Sequence, residues 1–267
     1  MITIKTDTQI AGMKRSGVIL TKTHHAIRQI LRPGLTTMQV NDFAEAFMRY
    51  KKAIPAQLGY EGFPFALCTS VNDEVCHGFP NDRPLRDGDI LSIDNVVNFE
   101  GYLSDSCWSY AIGDLSPEDQ KLMEVTEKAM YIGIGQALPG NHLNDIGKAI
   151  QEYVEGQGFS VVRDFTGHGI GQEMHEDPMV LHYGIDRRGP KLRKNMVITV
   201  EPMINIGDWR IKIDDNGWTA RTQDGKKSCQ FEHTFAVKDG GAEILTDQSQ
   251  SSLDDEELDW IGAYKFK

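Results

Sequence analysis

Four carboxylate residues and one histidine stand in short segments that are strand-like or flanked by glycine, and together they could bind metal ions. They are Asp94 in ILSIDNVV, Asp105 in YLSDSCW, His168 in TGHGIG, Glu201 in VITVEPM and Glu232 in CQFEHTFAV. Four carboxylates gathered in one place repel one another and cannot all stay ionised without compensation. Two divalent cations would cancel that charge, and the imidazole would complete the shell of one ion. If these residues converge, the sequence indicates a dinuclear metalloenzyme.

The segment between Asp94 and Asp105 predicts how the first two carboxylates meet. NVVNFEGYLS has the pattern of a β-hairpin, and Gly101 can adopt the left-handed conformation that closes a type I turn with a bulge. Counting outward from a turn at residues 99–101 places Asn98 opposite Gly101 and Asp94 opposite Asp105. Side chains directly opposite each other in an antiparallel pair have Cβ atoms roughly 4.5–5.5 Å apart. A register that differs by one residue would instead place the two carboxylates on opposite faces.

Composition narrows the class of protein. The chain has 267 residues, enough for one large domain or two small ones, and its formal net charge of −11 disfavours the nucleic-acid backbone as a partner. The sequence contains no run of 18 apolar residues, so no membrane span is predicted, and the N-terminal segment lacks the apolar core of a signal peptide. The four cysteines form no CxxC pair, which is typical of reduced thiols in the cytosol. We therefore expect a cytoplasmic protein without membrane contact or stable nucleic-acid binding.

The chain repeats one arrangement of elements. A helical pattern ends at Pro33, and a second amphipathic helix follows. Ser116 then begins a helix that runs to Pro139, which is again followed by an amphipathic helix. Each helix pair precedes strands that carry two of the acidic residues. Two such halves, about 7–113 and 114–247, would bring all four carboxylates to the seam between them, whereas two helical hairpins that arose by chance would not.

Five segments resemble the signature segments of type I methionine aminopeptidases, in the same order. They are NDEVCHGFP (72–80), GDILSIDN (88–95), GHGIGQEMHEDP (167–178), TVEPM (199–203) and QFEHT (230–234). The resemblance covers about residues 2–247 and is to the bacterial short form within the M24 metallopeptidases. It implies an α/β (α+β) pita-bread fold, with two pseudo-symmetric halves whose curved, mainly antiparallel sheet is backed by helices. The expected organisation is one pita-bread catalytic domain at 1–249 and an acidic, loosely ordered tail at 250–267.

The resemblance also implies how metals are held. Asp105 and Glu232 would bridge two divalent ions. Asp94 would bind one ion, and His168 with Glu201 would bind the other. Oxygen donors with one imidazole suit Co, Mn, Fe or Zn without selecting among them. A hydroxide bridging the ions would attack the first peptide carbonyl, and one ion would hold the free α-amino group. The implied activity is that of a methionyl aminopeptidase, a hydrolase that removes N-terminal methionine, preferring a small second residue.

Two further histidines are catalytic by resemblance. His77, in VCHGFP, would contact the substrate near the scissile amide nitrogen, and His175, in MHEDP, would donate to the carbonyl oxygen as negative charge develops there. Glu201 would carry the proton between water and the leaving amine. The other histidines are expected to have structural or surface roles, although a position near the site stays open for the histidine in VLHYG: His24, His25, His142, His182 and His233.

The resemblance implies a pocket for the methionine side chain. Cys68, Tyr60, Phe63 and Trp218 would line it, since soft sulfur and aromatic edges suit a thioether. Ordinary core packing is the alternative for each of these residues. Cys76 precedes a catalytic histidine, but adjacent residues of an extended chain point to opposite faces, so we expect a buried, inert thiol. The chain departs from the usual family pattern near the pocket and the ligands at Gln57, Glu61, Ser106 and Met174.

Two other functions are compatible with such a fold. Proline-specific relatives, such as prolidase or aminopeptidase P, usually carry an additional N-terminal domain, and this chain reaches its first signature too early to contain one. A non-catalytic peptide-binding module would be expected to have lost metal ligands, and all five are present. The expected partners are therefore the N-termini of nascent polypeptides and peptides, bound by a monomer whose contact with the ribosome, if any, is transient.

Overall fold

Five α-helices frame the fold in the computed structural model, which describes residues 1–266. They are α1 (Asp7–Ile30), α2 (Thr37–Tyr50), α3 (Pro117–Gly135), α4 (Leu143–Gly156) and α5 (Asp255–Ala263). Thr6 and Thr36 form capping boxes that begin α1 and α2, and Ser116 caps α3 with proline at the first helical position. Both predicted helix pairs are therefore present. No helix in this part of the chain is long and apolar enough to cross a membrane.

Fifteen short strands within residues 1–266 pair in an antiparallel manner. The first half contributes β1 (Ile54–Pro55), β2 (Cys68–Val71), β3 (Glu74–Cys76), β4 (Asp89–Phe99) and β5 (Tyr102–Ile112). The second half contributes β6 (Ser160–Val161), β7 (Gly167–Gly169), β8 (Glu176–Val180), β9 (Val197–Val200), β10 (Met203–Asn205), β11 (Ile211–Ile213), β12 (Ala220–Thr222), β13 (Ser228–Gln230), β14 (His233–Lys238) and β15 (Gly241–Ile244). In the largest sheet the order is β15-β14-β9-β7-β8, and in the sheet of the first half β4 pairs with β1, β2 and β5.

Each half has its own cluster of buried apolar side chains between helices and strands. Phe43 and Phe47 of α2 are fully buried against α1 and the strands of the first half. Ile146 and Ile150 of α4 are fully buried in the corresponding cluster of the second half. Burying one such side chain contributes about 1.5–3 kcal/mol. This packing holds the helices against the sheets, so that the strands that contain or adjoin the acidic residues are fixed in position.

The predicted register of the β4–β5 hairpin is wrong by two residues. Phe99 pairs with Tyr102, Asp94 with Cys107, and Asp105 with Val96. The connection is a two-residue turn rather than a bulged one, because the residues at positions 100 and 101 both adopt left-handed backbone conformations, with φ of 55° and 83°. A shift of two residues preserves the face, so the two aspartates are diagonal neighbours on the same side of the sheet.

Hydrogen bonds join the two halves along β5. The Thr234 hydroxyl donates to the carbonyl oxygen of Asp105 at 2.8 Å and accepts from the backbone N–H of Asp105 at 3.1 Å. The Ser106 hydroxyl donates to the carbonyl oxygen of Glu232 at 2.8 Å, and the backbone N–H of Glu232 donates to the carbonyl oxygen of Cys107, also at 2.8 Å. This seam places acidic residues of the first and second halves side by side.

The C-terminal tail differs from the expectation of loose order. Helix α5 packs on the first half, where the Trp260 ring stacks on Tyr50 with 5.2 Å between ring centroids. Glu257 is only 1 % exposed and accepts hydrogen bonds from Lys22 and Lys51. The acidic composition suggested a solvated tail, but an aromatic face and one buried ion-pair network attach it to the domain.

Replacing Glu257 with Gln is expected to loosen α5 by about 1.5–3 kcal/mol, the scale of hydrogen bonds to charged groups. Burial alone would raise the pKa of Glu257, yet the lysine partners, Lys51 foremost, hold it below its ordinary value. A lowered pKa means that the contribution is fully present above pH 4.5 and is lost as the pH falls through the folded-state value. Hydrogen exchange of α5 should therefore separate wild type from the variant at pH 7, and the two should converge in acid. Asp259→Asn, on the exposed side of α5, is the matched control and should behave as wild type.

Candidate functional site

The five residues singled out in the sequence lie together at the seam between the halves. His168 Nε2 is 3.6 Å from a carboxylate oxygen of Asp105 and 3.6 Å from one of Glu201. Asp105, His168 and Glu232 each offer a ligand atom within 4.8 Å of the others. Buried carboxylate oxygens without any hydrogen-bond partner occur on Asp94, Asp105 and Glu232. Buried polar atoms are normally paired, so these oxygens are suited to a partner that is positively charged or that donates a hydrogen bond.

The ionisation of the cluster reflects crowding of like charge. Burial and the neighbouring carboxylates of Asp105 and Glu201 raise the pKa of Asp94 well above its ordinary value. Burial, followed by repulsion from Asp105, does the same to the pKa of Glu232. Burial also raises the pKa of Glu201 to about 7. Burial disfavours the charged form of His168, but Asp105 and Glu201 outweigh it and raise the pKa of the imidazole to about 9. The cluster therefore needs cationic compensation to hold its full negative charge.

Two glycines allow His168 to reach the cluster. A Cβ atom at Gly167 would lie 2.5 Å from the carbonyl oxygen of Thr199, and one at Gly169 would lie 2.1 Å from that of Asp177. Glycine at both positions thus permits β7 to lie close to its neighbours. Nδ1 of His168 is 2.9 Å from the carbonyl oxygen of Gly169, so Nδ1 carries the proton in this bond. Nε2 then faces the carboxylates, as in metal-binding histidines whose other ring nitrogen donates to a carbonyl.

Glu201 is oriented by residues that the motif did not assign. The Thr199 hydroxyl donates to Glu201 Oε1 at 2.8 Å and accepts from the backbone N–H of His168 at 3.0 Å. The backbone N–H of Glu201 donates to Nε2 of His182 at 3.1 Å, and the amide of Gln230 is 3.4 Å from Glu201 Oε2. Burial lowers the pKa of His182 to about 3, so the ring is neutral and accepts this bond. Thr199 and Gln230 each lie two residues before a candidate ligand, so the alternation of side chains along a strand could have indicated them. No pattern in the sequence indicated the hydrogen bond made by His182.

Asp94 lies between two cysteines on neighbouring strands. It pairs with Cys68 of β2 on one side and with Cys107 of β5 on the other. The side-chain amide of Gln57, oriented so that its nitrogen faces acceptors, donates to the carbonyl oxygens of Ala66 and Asp94 at 3.1 Å each. Gln57 therefore ties the pocket loop to the strand that carries one acidic residue.

The donor set fits divalent cations. It contains four carboxylates and one imidazole whose Nε2 faces them, and three of its buried oxygens have no partner within residues 1–266. Hard oxygen donors with one nitrogen suit the smaller divalent transition metals. Without cations, the ionised carboxylates would be destabilised both by desolvation and by mutual repulsion. Metal binding offsets both costs.

A cavity of about 160 Å³ opens beside the cluster. The Phe63 ring packs edge-on against Trp218 with 5.2 Å between centroids, and Cys68 is buried at the wall. All of the residues predicted from the sequence to contact substrate line this cavity, and so do three of the positions at which the chain departs from the family pattern. The full lining is Gln57, Tyr60, Glu61, Phe63, Cys68, His77, Asp94, Val96, Asp105, Met174, His175 and Trp218. The cavity thus joins an apolar, aromatic end to the acidic cluster.

The two candidate catalytic histidines lie on different walls of the cavity. The His77 ring packs against Phe165 with centroids 5.3 Å apart, and burial lowers its pKa to about 4. The His175 ring is 4.4 Å from the ring of His168, and Nδ1 of His175 is 2.8 Å from the Tyr60 hydroxyl. Burial, reinforced by His168, lowers the pKa of His175. Both rings are therefore neutral near pH 7 and can donate one proton each in hydrogen bonds.

The cysteine thiols and two further histidines are buried in the interior. All four cysteines are buried and free, including Cys76, whose thiol pKa is raised well above its ordinary value by burial. His24 is fully buried and hydrogen-bonds the Tyr110 hydroxyl, and His233 bonds Thr246 in the same manner. Their burial and hydrogen bonds contribute to the packing of the interior.

Comparison with known proteins agrees with this geometry. Residues 11–239 match the profile of metallopeptidase family M24. The chain is 45% identical over 246 residues to methionine aminopeptidase 1 of Bacillus subtilis, which covers 92% of this chain and 99% of the relative. The crystal structure of methionine aminopeptidase from Rickettsia prowazekii superposes with a TM-score of 0.91 at 44% identity, covering 92% of this chain and 100% of that one.

A more distant likeness concerns the fold alone. Prolidase from Pyrococcus horikoshii is 20% identical, has a TM-score of 0.74, and is matched over 91% of this chain and 63% of its own. Together these likenesses confirm the predicted α/β pita-bread fold and the resemblance found in the five sequence segments. The match to the family profile spans both halves and every residue of the acidic cluster. The chain belongs to metallopeptidase family M24.

Proposed function

We propose that this protein is a methionine aminopeptidase, a metal-dependent hydrolase that removes the N-terminal methionine of nascent proteins and peptides. The observation that carries the proposal is the junction of two chemistries in one cavity. Its aromatic and sulfur-bearing walls suit a thioether side chain, and the acidic cluster lies at its other end. The identity of 45% over nearly the full length of a methionine aminopeptidase supports the same activity.

The proposed cofactor is a pair of divalent ions. Asp105 and Glu232 would contact both ions, in keeping with ligand atoms that lie within 4.8 Å of each other. Asp94 would complete one site, and His168 with Glu201 the other. Divalent ions bound there supply positive charge that acidifies a water and polarises the peptide carbonyl. The donor set admits Co, Mn, Fe or Zn.

The protein residues would position the substrate and move protons around it. His175 would donate to the carbonyl oxygen of the scissile peptide, where negative charge develops. His77, on another wall of the cavity, would contact the scissile amide nitrogen. Glu201, held by Thr199 and within the cluster, would accept a proton and pass it to the leaving amine. The free α-amino group of the substrate would be held at the acidic cluster, as the resemblance implies, which suits an exopeptidase that removes one residue.

The selectivity and the setting of the enzyme complete the proposal. The preferred substrate would have a small second residue, as the resemblance implies. Four free, buried cysteines support a reducing compartment, and we assign the protein to the cytoplasm as a monomer whose association with the ribosome is at most transient. Proline-specific cleavage is not favoured, because the prolidase likeness at 20% identity concerns the fold alone.

A cleavage assay with matched peptides tests the proposal. Metal-free protein reloaded separately with each candidate metal should release methionine from Met-Ala-Ser. It should act much more slowly on Leu-Ala-Ser, whose branched side chain lacks the thioether, and on Met-Pro and other Xaa-Pro peptides. Preferential release from Xaa-Pro substrates would replace the proposal with the proline-specific activity. Absence of cleavage with every metal would indicate a module that binds peptides without hydrolysing them.

A further inference from the structure

The hydroxyl of Tyr60 makes a specific contact with a proposed catalytic group. It lies 2.8 Å from Nδ1 of His175, although the two residues are 115 positions apart in the chain. Their rings are 5.4 Å apart between centroids and tilted by 55°. Within residues 1–266 this hydroxyl has no other hydrogen-bond partner. The contact therefore joins the turn at Tyr60–Gly62 to the segment that enters β8.

The direction of this bond determines what His175 can do. A neutral imidazole carries one proton, on Nδ1 or on Nε2, and its other nitrogen is an acceptor. If Nδ1 donated to the tyrosine oxygen, Nε2 would have no proton to offer to a substrate carbonyl. If the tyrosine donates to Nδ1, the imidazole proton must be on Nε2. Tyr60 keeps its own proton at neutral pH because burial raises its pKa above the ordinary value.

We propose that Tyr60 is a positioning residue, whose hydroxyl donates to Nδ1 and so holds His175 as the Nε2–H tautomer. The inference builds on the proposed function, in which His175 donates to the peptide oxygen. It goes beyond a wall of the methionine pocket, which is the role that the resemblance implied for this tyrosine. The backbone holds the adjacent histidine in the opposite tautomer, because Nδ1 of His168 donates to the carbonyl of Gly169. Two rings 4.4 Å apart thus present different nitrogens, one as a ligand and one as a donor.

Nitrogen-15 NMR of histidine-labelled, zinc-loaded protein measures the tautomer directly, and Zn is chosen because it is diamagnetic. In wild type, Nδ1 of His175 should have the shift of an unprotonated, hydrogen-bonded nitrogen, and Nε2 that of a protonated one; the His175→Ala spectrum provides the assignment. In Tyr60→Phe, which keeps the ring, the two shifts should approach each other as both tautomers become populated. We expect kcat on Met-Ala-Ser to fall roughly five- to tenfold, with a smaller change in KM, as for loss of one hydrogen bond.

Phe63→Leu is the contrasting variant, because Phe63 lines the same cavity without contacting His175. It should raise KM and leave both nitrogen shifts of His175 unchanged. Unchanged shifts in Tyr60→Phe would overturn the inference, whether or not kcat falls, and so would wild-type shifts that show a proton on Nδ1. An unchanged kcat in an otherwise active enzyme would also overturn it. Failure of wild type to release methionine would instead count against the proposed function, since the tautomer is measured independently of turnover.

Discussion

Glu232→Gln is expected to abolish metal-dependent activity without destabilising the metal-free protein. Glu232 is 2 % exposed, has a carboxylate oxygen without a partner, and lies among three other carboxylates. Loss of a group that merely supports a ligand weakens metal binding by about 10–100-fold, so loss of a ligand should cost at least about 100-fold. A bound metal ion stabilises the charge that develops in the transition state by several kcal/mol. Losing that stabilisation should lower kcat/KM by at least about 10³-fold.

The stability of the metal-free variant distinguishes this prediction from simple misfolding. Burial and repulsion by Asp105 oppose ionisation of Glu232, so replacing its carboxylate with a neutral amide removes an unfavourable charge. The free energy of unfolding without metal should therefore not fall. Glu257→Gln is the matched control, because it also neutralises a buried glutamate but removes a favourable ion pair. It should destabilise the tail and leave metal affinity unchanged. An unchanged metal Kd for Glu232→Gln, measured by calorimetry, would contradict the prediction.

His175→Ala is expected to lower kcat by roughly 10²–10³-fold, the range found when one donor to a developing oxyanion is lost. His175 lies outside the donor cluster, and its Nδ1 is already engaged by Tyr60. Metal affinity and stoichiometry should therefore stay as in wild type. His25→Ala removes a half-buried imidazole bonded to the backbone of Gln248 and is the control for loss of a histidine elsewhere. Full activity of His175→Ala, or loss of metal from it, would exclude the proposed role.

Much of the fold was predictable because its signals are local. Proline and glycine mark the helix ends, Ser116 caps α3 as its side chain dictates, and helical periodicity identifies the faces of α2 and α4 that are buried. The hairpin register was not predictable from such local signals. The register depends on whether the backbone of Glu100 adopts a left-handed conformation. Residues other than glycine rarely adopt it, and here the pairing of the two strands imposes it.

Contacts between segments that are far apart in the chain could not be predicted from the sequence either. The docking of α5 depends on Trp260 and Glu257 meeting residues more than 200 positions earlier, and no periodicity encodes such a meeting. His182, one of the partners of Glu201, could not be assigned for a similar reason, because a buried histidine that accepts a backbone hydrogen bond resembles any other histidine in sequence. The four candidate carboxylate ligands were identifiable because carboxylates in apolar, strand-like segments are costly to bury, and His168 was identifiable from its glycine-flanked segment.

A crystal structure of the protein saturated with Mn²⁺, with anomalous scattering measured at the manganese edge, tests the proposed metal centre most directly. We predict two anomalous peaks at the seam, with Asp105 and Glu232 contacting both, Asp94 contacting one, and His168 and Glu201 contacting the other. A seam without anomalous density, or peaks bound by other side chains while these carboxylates point apart, would contradict it.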